Sequence, residues 1–244
     1  MNIKNNNKKK LMTLILTEKQ KKFMIKLYSN NVKISRQTRD IIHGYIMSDG
    51  YVKPLGNLTV QQCLEQRKFV EWLYSELKPL CVTKPDDSAI SIVKNFSKKT
   101  QTEYISARFN TRNLLKGFRK MWYQPYITED GSTGFKKKLP KSLHCFFNPT
   151  FVTVWFAGDG TIIKGSVGAK IEVTNYEPHE RERLKKLFKN KFDINTVINK
   201  AGYTEKKKQQ WTININSAEY PKFRTLITQM DLIEKVFPNK LHPR

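Results

Sequence analysis

Cysteine is scarce in this chain of 244 residues: Cys63, Cys81 and Cys145 are the full set, widely separated and with no Cys-x-x-Cys pair. An odd, scattered set excludes a disulfide scaffold and a four-thiolate zinc site, and it fits a reducing interior. Acid is scarce as well, with 21 Asp and Glu against 45 Lys and Arg. Long hydrophobic runs are missing. The apolar stretch Phe151–Phe156 is interrupted by Thr153, and neither a membrane span nor a strongly apolar amphipathic helix can be drawn. Met1–Lys10 is a basic run leading into a helical pattern, with no apolar core or cleavage site, so no secretory leader is expected. The four histidines, His43, His144, His179 and His242, are scattered, and there is neither a His-Glu-x-x-His pair nor a glycine-rich phosphate loop.

What is present is positive charge. A formal net charge of +24 repels itself in a folded chain, so a polyanionic partner is expected, nucleic acid before any membrane surface. Hydrophobic residues at 39% are enough to build a core around that charge. The bias toward Lys, Asn and Ile suggests an AT-rich genome such as an organelle's.

Order along the chain is informative. Residues 1–10 read as a solvated basic tail, and Thr17 with Gln20 starts a helix to about Tyr28. A second helix spans Ser35–Ser48, with Ile41, Ile42, Tyr45 and Ile46 on one face, and stops at Asp49-Gly50, where glycine permits a positive φ. Strands at Tyr51–Lys53 and Leu58–Cys63, a helix Gln66–Leu77, strands Ala89–Phe96 and Thr102–Phe109 joined by the turn Ser97–Thr100, and a helix Asn113–Tyr123 follow. Thr128–Cys145 reads as a connector. A third long helix begins at Asn148-Pro149 and ends at Gly158-Asp159-Gly160. Then the order repeats: strands near Thr161–Lys164 and Lys170–Thr174, a helix Glu177–Phe188, strands Ile194–Asn199 and Gln210–Asn216, and a helix from Ala218 to about Met230. The expected divisions are a tail at 1–15, a first half at 16–127, a connector at 128–147 and a second half at 148–244.

Three constellations carry chemistry. Ile46-Met-Ser-Asp49-Gly50 and Phe156-Ala-Gly-Asp159-Gly160 each set one carboxylate behind a buried helix, with a small residue before it that lets two helix ends approach. Two close carboxylates repel unless a cation lies between them, and hard oxygen ligands suit Mg²⁺. Next, Lys138-Leu-Pro140 and Lys240-Leu-His-Pro243 stand at similar distances past the two aspartates, and a cation there would stabilise a developing phosphorane charge. Finally, strand faces alternate. Gln210, Thr212, Asn214 and Asn216 oppose Trp211, Ile213 and Ile215, and Thr102, Tyr104, Ser106 and Arg108, with Thr59 and Gln61, make a similar polar face in the first half. Such amide- and hydroxyl-rich faces suit the reading of base edges in a major groove. Lys53, Lys164, Lys170 and Thr174 join them as candidate DNA contacts. Pro85-Asp86 and Glu205-Lys206-Lys207 formally match a restriction-type site, but Glu205 falls in a lysine-rich loop with no strand around it.

Ile42-His-Gly-Tyr-Ile-Met-Ser-Asp-Gly50 and Val152-Thr-Val-Trp-Phe-Ala-Gly-Asp-Gly160 resemble the two motifs of a monomeric LAGLIDADG homing endonuclease of the organellar, intron-encoded type. The resemblance implies an α+β fold of two pseudo-symmetric αββαββα halves, each with a four-stranded antiparallel sheet, forming a saddle over DNA. It also implies site-specific double-strand cleavage and intron mobility, with Mg²⁺ or Mn²⁺ held by Asp49 and Asp159 and with Lys138 and Lys240 beside them. Partners would be double-stranded DNA with a long asymmetric site, and intron RNA under the alternative of a non-cleaving maturase. The location would be a mitochondrion or chloroplast. Two departures stand out: the sixth motif position is Met47 and Ala157, leaving one carboxylate per motif, and Gly44 is matched by Val154, which predicts a looser helix contact on that side.

Overall fold

The computed structural model describes residues 34–82, 89–97, 101–128, 130–204 and 207–241. The basic tail, the helix Thr17–Tyr28, most of the turn Ser97–Thr100, Pro85-Asp86, Glu205-Lys206, His242 and Pro243 lie outside the described residues. All of the architecture below belongs to one compact unit, Ser35–Arg244.

The first half runs α1 (Arg36–Met47), β1 (Tyr51–Val52), β2 (Leu58–Cys63), α2 (Arg67–Leu77), β3 (Ser91–Ser97), β4 (Thr102–Asn110) and α3 (Lys116–Trp122). A hairpin of β5 (Tyr123–Ile127) and β6 (Thr133–Lys137) and a short helix α4 (Leu143–Phe146) follow. The second half runs α5 (Pro149–Asp159), β7 (Gly160–Ile162), β8 (Ala169–Glu172), α6 (Pro178–Phe192), β9 (Val197–Tyr203), β10 (Gln209–Ile215), α7 (Tyr220–Ile227) and α8 (Leu232–Val236). The two four-stranded antiparallel sheets have the same topology, β1-β2-β4-β3 and β7-β8-β10-β9. This is the expected α+β fold with an internally repeated αββαββα unit.

Local chemistry explains the boundaries. Ser35 caps α1 by accepting from Thr38 N at 3.0 Å, and Asn148 caps α5 by accepting from Phe151 N at 3.0 Å, with Pro149 at the first helical position where no donor is needed. Glu177 and Glu180 form a capping box at the start of α6, and Asp193 in the left-handed region ends it, four residues later than the sequence suggested. The supposed connector holds the β6 strand. Pro125 cannot extend α3, Gly131 turns the chain at φ +79°, and Thr128 N closes the turn on Ser132 O at 2.9 Å. Lys138 N then donates to Trp122 O at 2.8 Å, pinning the hairpin end to α3.

Each sheet buries one face. Leu58, Val60, Ala107 and Phe109 meet Phe69, Val70, Leu73 and Leu77 of α2, while Ala169, Ile171, Ile213 and Ile215 are buried in the second sheet and Leu184 and Phe188 in α6. Between the halves α1 packs on α5, and α5 is buried on every side from Phe151 to Ala157. Glycine makes this crossing close. A Cβ on Gly44 would lie 2.6 Å from Phe151 O and 2.9 Å from Val154 Cβ. Val154 therefore occupies the space that Gly44 leaves, and the contact is tight where the sequence predicted a looser one.

An aromatic cluster braces α1 from the other side. His43 stacks on Phe146 (ring centroids 3.7 Å apart), and its Nδ1 accepts from Trp122 Nε1 at 2.8 Å. Burial, aided by Arg39, pushes its pKa down to about 3.

Two outcomes follow from this packing. Gly44→Ala places a methyl on a backbone oxygen that cannot rotate away, so overpacking of about 1–3 kcal/mol outweighs the ~1 kcal/mol alanine gains in helix propensity. Its urea midpoint should fall, and an unchanged or higher midpoint would contradict the close crossing. His43 is neutral when folded yet takes a proton near pH 6.5 when unfolded, so it contributes stability above that pH and loses it as pH falls from about 6.5 toward 3. His43→Gln, which keeps an acceptor for Trp122, should flatten the stability–pH curve over that window by up to about 1.4 kcal/mol per pH unit.

Candidate active site

The carboxylates of Asp49 and Asp159 are brought together by the last turns of α1 and α5. A Cβ on Gly158 would lie 2.6 Å from Ser48 Cβ and 3.1 Å from Asp49 Oδ2, so the second helix end slides directly under the first acid. Ser48 stays compact because its hydroxyl donates back to Tyr45 O at 3.2 Å. The glycines after the acids serve space, not positive φ. A Cβ on Gly50 would meet Tyr45 O at 2.7 Å, and one on Gly160 would overlap the Phe156 ring, as each chain folds tightly against its own helix.

Asp49 is exposed and accepts from Gln62 Nε2 at 2.9 Å. Asp159 is half-buried and accepts from Trp155 Nε1 at 3.3 Å. Burial first, then the Asp49 carboxylate, pushes Asp159 up to about 7, against the opposing pull of Lys137 and the Trp155 hydrogen bond. Both acids also stand at helix C-termini, where the helix dipole is negative. The position is a concentrated negative spot that calls for cations.

Two lysines answer it. Lys137 Nζ donates to Ser48 O at 2.5 Å, and Lys240 Nζ donates to Ala157 O at 2.7 Å and Phe156 O at 3.2 Å. Each binds carbonyls at a helix end, Ser48 O and Ala157 O, while Phe156 O also accepts from Gly160 N. Burial lowers both ammonium pKa values, Lys240 to about 8, while both aspartates hold the charge in place. Tyr176, fully enclosed beside Asp159, donates to Met47 O at 3.0 Å and so ties the second half to the end of α1. No cluster of three His, Cys, Asp or Glu side chains able to hold a metal exists among the described residues, and Asp49 and Asp159 are the two carboxylates that could hold a divalent cation at this place. Their hard oxygens and mutual repulsion suit one.

Several expected positions fall elsewhere. Lys138 faces a separate cleft with Gln124, Glu177, Glu180 and Arg183, and its neighbour Lys137 takes the place expected of it, because β6 alternates and Lys137 is the residue turned toward α1. Lys240 is where the sequence put it. On the first sheet the cross-strand partners Thr59–Asn110 and Gln61–Arg108, with Tyr104 and Thr102 further along β4, share the face opposite α2. Ser106 shares it but is fully buried under Gln61 and Asn95, which excludes direct contact with DNA. On the second sheet Lys170, Thr212 and Asn214 share one face and Gln210 alternates with the inward Trp211, but Thr212 is buried and donates to Asn214 Oδ1 at 2.8 Å, so it supports Asn214 instead of reaching outward. Thr174 is buried and accepts from Trp211 N at 2.9 Å, so it extends the ladder instead of reaching outward. Asn216 lies past β10 and caps the next turn by accepting from Glu219 N at 3.0 Å. Lys53 and Lys164 sit in the β1–β2 and β7–β8 turns, Lys53 half-buried and Lys164 exposed. The sequence reading missed Lys137, Gln62, Asn95 and Tyr176. Of these Asn95 had the strand alternation as a signal, Gln62 stood out only as a polar residue in the inward phase of β2, and Tyr176 had none.

No curated protein sequence matches the chain. Among solved structures, the homing endonuclease I-WcaI bound to its DNA recognition sequence superposes with a TM-score of 0.69 at 17% identity, covering 95% of this chain and 97% of that one. That likeness is one of fold. The N-terminal LAGLIDADG domain of DUF199/WhiA matches with a TM-score of 0.44 at 15% identity over 84% of this chain and 90% of that one. A variant of I-DmoI in complex with its target DNA in the presence of 2 mM Mn gives 0.45 at 14% identity, over 81% and 96%. The model of the LAGLIDADG DNA endonuclease family matches residues 39–223, from within α1 to within α7, and so spans both helix ends and both sheets. With its two Asp-Gly helix ends packed together and its repeated sheets inside that match, the chain belongs to the LAGLIDADG DNA endonuclease family.

Proposed function

We propose that the chain is a site-specific DNA endonuclease that cuts both strands of a long asymmetric target, acting as a monomer and promoting the mobility of its own intron. The observation that carries the proposal is the meeting of Asp49 and Asp159 at the Ser48–Gly158 crossing, floored by Lys137 and Lys240. One carboxylate from each half matches a duplex with one scissile phosphate on each strand.

The two aspartates would hold the divalent metal, Mg²⁺ or Mn²⁺. Such an ion supplies an activated water and neutralises charge on the leaving oxygen. The chain's own groups do the rest. Asp49 and Asp159 orient the reacting centre from two rigid helix ends, which keeps their positions independent of loop motion. Lys137 and Lys240, held by backbone carbonyls instead of side chains, keep positive charge at a fixed place beside the phosphate and stabilise charge that develops there. Lys137 replaces Lys138 in this role. The polar faces of the two sheets would lie in the major groove, and the excess of lysine supplies phosphate contacts. The Lys, Asn and Ile bias supports an organellar home.

Asp49→Asn and Asp159→Asn should each abolish Mg²⁺-dependent cleavage of the selected target and leave DNA affinity, measured by gel shift without the metal, close to that of the parent. Full cleavage by either variant would sink the assignment. Lys137→Met should slow single-turnover cleavage by about 10²-fold, the scale of losing one preorganised charge-stabilising group, with Lys138→Met within a few-fold of the parent. The reverse ranking would return the role to Lys138. Binding should weaken steeply with salt, since each neutralised phosphate releases counterions.

A further inference from the structure

One knot of side chains on the outward face of the first sheet fixes the orientation of its own amides. Ser106 Oγ, buried beneath the surface, accepts from Asn95 Nδ2 at 2.7 Å and from Gln61 Nε2 at 2.9 Å. The same Asn95 Nδ2 donates to Val93 O at 3.0 Å, and Asn95 Oδ1 accepts from Gln61 Nε2 at 3.3 Å.

The Val93 carbonyl settles every orientation in the chain. A backbone carbonyl can only accept, so the Asn95 atom beside it must be the amide nitrogen. Asn95 then has its oxygen toward Gln61. An oxygen can only accept there, so the Gln61 atom that meets it must be Nε2. Both amide nitrogens thereby spend their hydrogens inside the knot. Gln61, half-buried, is left with Oε1 on the far side and without a partner among the described residues. On the second sheet Gln209 Nε2 donates to the Gly202 and Gln210 carbonyls, but Asn214 is met by the Thr212 hydroxyl, which can donate or accept and leaves that amide free to turn over.

We infer that Gln61, locked by Asn95 and Ser106, is a specificity-determining residue that presents an acceptor to the major groove and selects a base carrying an exocyclic amino group, adenine or cytosine, at one position of the target. Guanine and thymine show oxygen acceptors at the corresponding place and would meet Oε1 acceptor to acceptor. Flipping the amide to suit them would break the two bonds that Gln61 makes within the knot. Ser106 acts through Gln61 and is a positioning residue. The assignment depends on the DNA-cleaving function proposed above.

The test is selection of cleaved sequences from a randomised DNA library with Mg²⁺, using the full chain, Ser106→Ala and Gln61→Leu. The parent should show one base pair with roughly tenfold preference for adenine or cytosine over guanine or thymine on one strand, the order of a base-edge hydrogen bond. Gln61→Leu should lose that preference at that same pair, Ser106→Ala should weaken it because the longer Asn95 bond alone then holds the Gln61 amide, and both should keep the preferences elsewhere. Replacing a preferred adenine by purine, which lacks the amino group, should cost the parent the same factor and Gln61→Leu nothing. If the parent cuts selected DNA but neither variant changes the profile, or the pair they change favours guanine or thymine, the inference fails while the endonuclease function stands. If no sequence is cut by the parent, both fail. Should Ser106→Ala unfold, shown by a collapsed melting transition, Gln61→Leu and the purine substitution decide alone.

Discussion

The crossing of Ser48 over Gly158 is the contact on which the rest of the molecule depends. Two helices of this kind cannot end side by side unless the residues at their ends are small, and a Cβ on Gly158 would collide with Ser48 at 2.6 Å. Once they do end side by side, two carboxylates and two negative helix termini share one small volume. The cost is visible in Asp159, which burial and the neighbouring Asp49 raise to about 7. Lys137 and Lys240 relieve it by binding the helix carbonyls, so the same groups that stabilise the crossing also furnish its positive charge. Structure and chemistry are not separable at this point: removing the close contact would disperse the site.

Much of this was legible in the residues. Asn148-Pro149 announces the third long helix through cap chemistry that needs no tertiary context, and that cap forms as read; Ser35, read only as a helix start, caps α1 in the same way. The repeated order of elements and the paired Asp-Gly turns led to the site because burial patterns are local and the duplication made each half a check on the other. Lys138 shows where locality ends. Lys136, Lys137 and Lys138 stand in a row, and which one faces α1 depends on the register of a hairpin that the composition of Thr128–Cys145 hid among turn residues. A one-residue shift in a strand exchanges its faces. Alternation points Asn216 toward the groove and Thr174 stands among the candidate DNA contacts, but both lie just past strand ends, where the ladder and the next helix claim their side chains.

Fold symmetry and chemical symmetry diverge between the halves. The sheets share a strand order, yet Asp49 is open and receives an amide from Gln62, while Asp159 lies half-buried against Trp155 with Glu172 adding to its charge load. Tyr176 crosses from the second half to cap Met47 O in the first, a bond that ties the end of α1 to the other half of the chain. A single chain allows such unequal pairing, since each half can vary without its copy changing. An asymmetric centre of this kind suits the asymmetric target of the proposed function.

The same divergence appears on the two polar faces. The first sheet holds Gln61 and Asn95 in one orientation through a carbonyl that admits only donors, whereas Asn214 in the second is held by a hydroxyl that accepts either hand. Orienting an amide in advance removes the entropy of choosing between two flips at binding, and it makes the wrong base meet a group that cannot adapt. An amide held that way would discriminate; one free to turn would tolerate variation. Under the proposed function, a net charge of +24 attracts any duplex through its phosphates, so discrimination would come from the few side chains already committed to one hydrogen-bonding pattern.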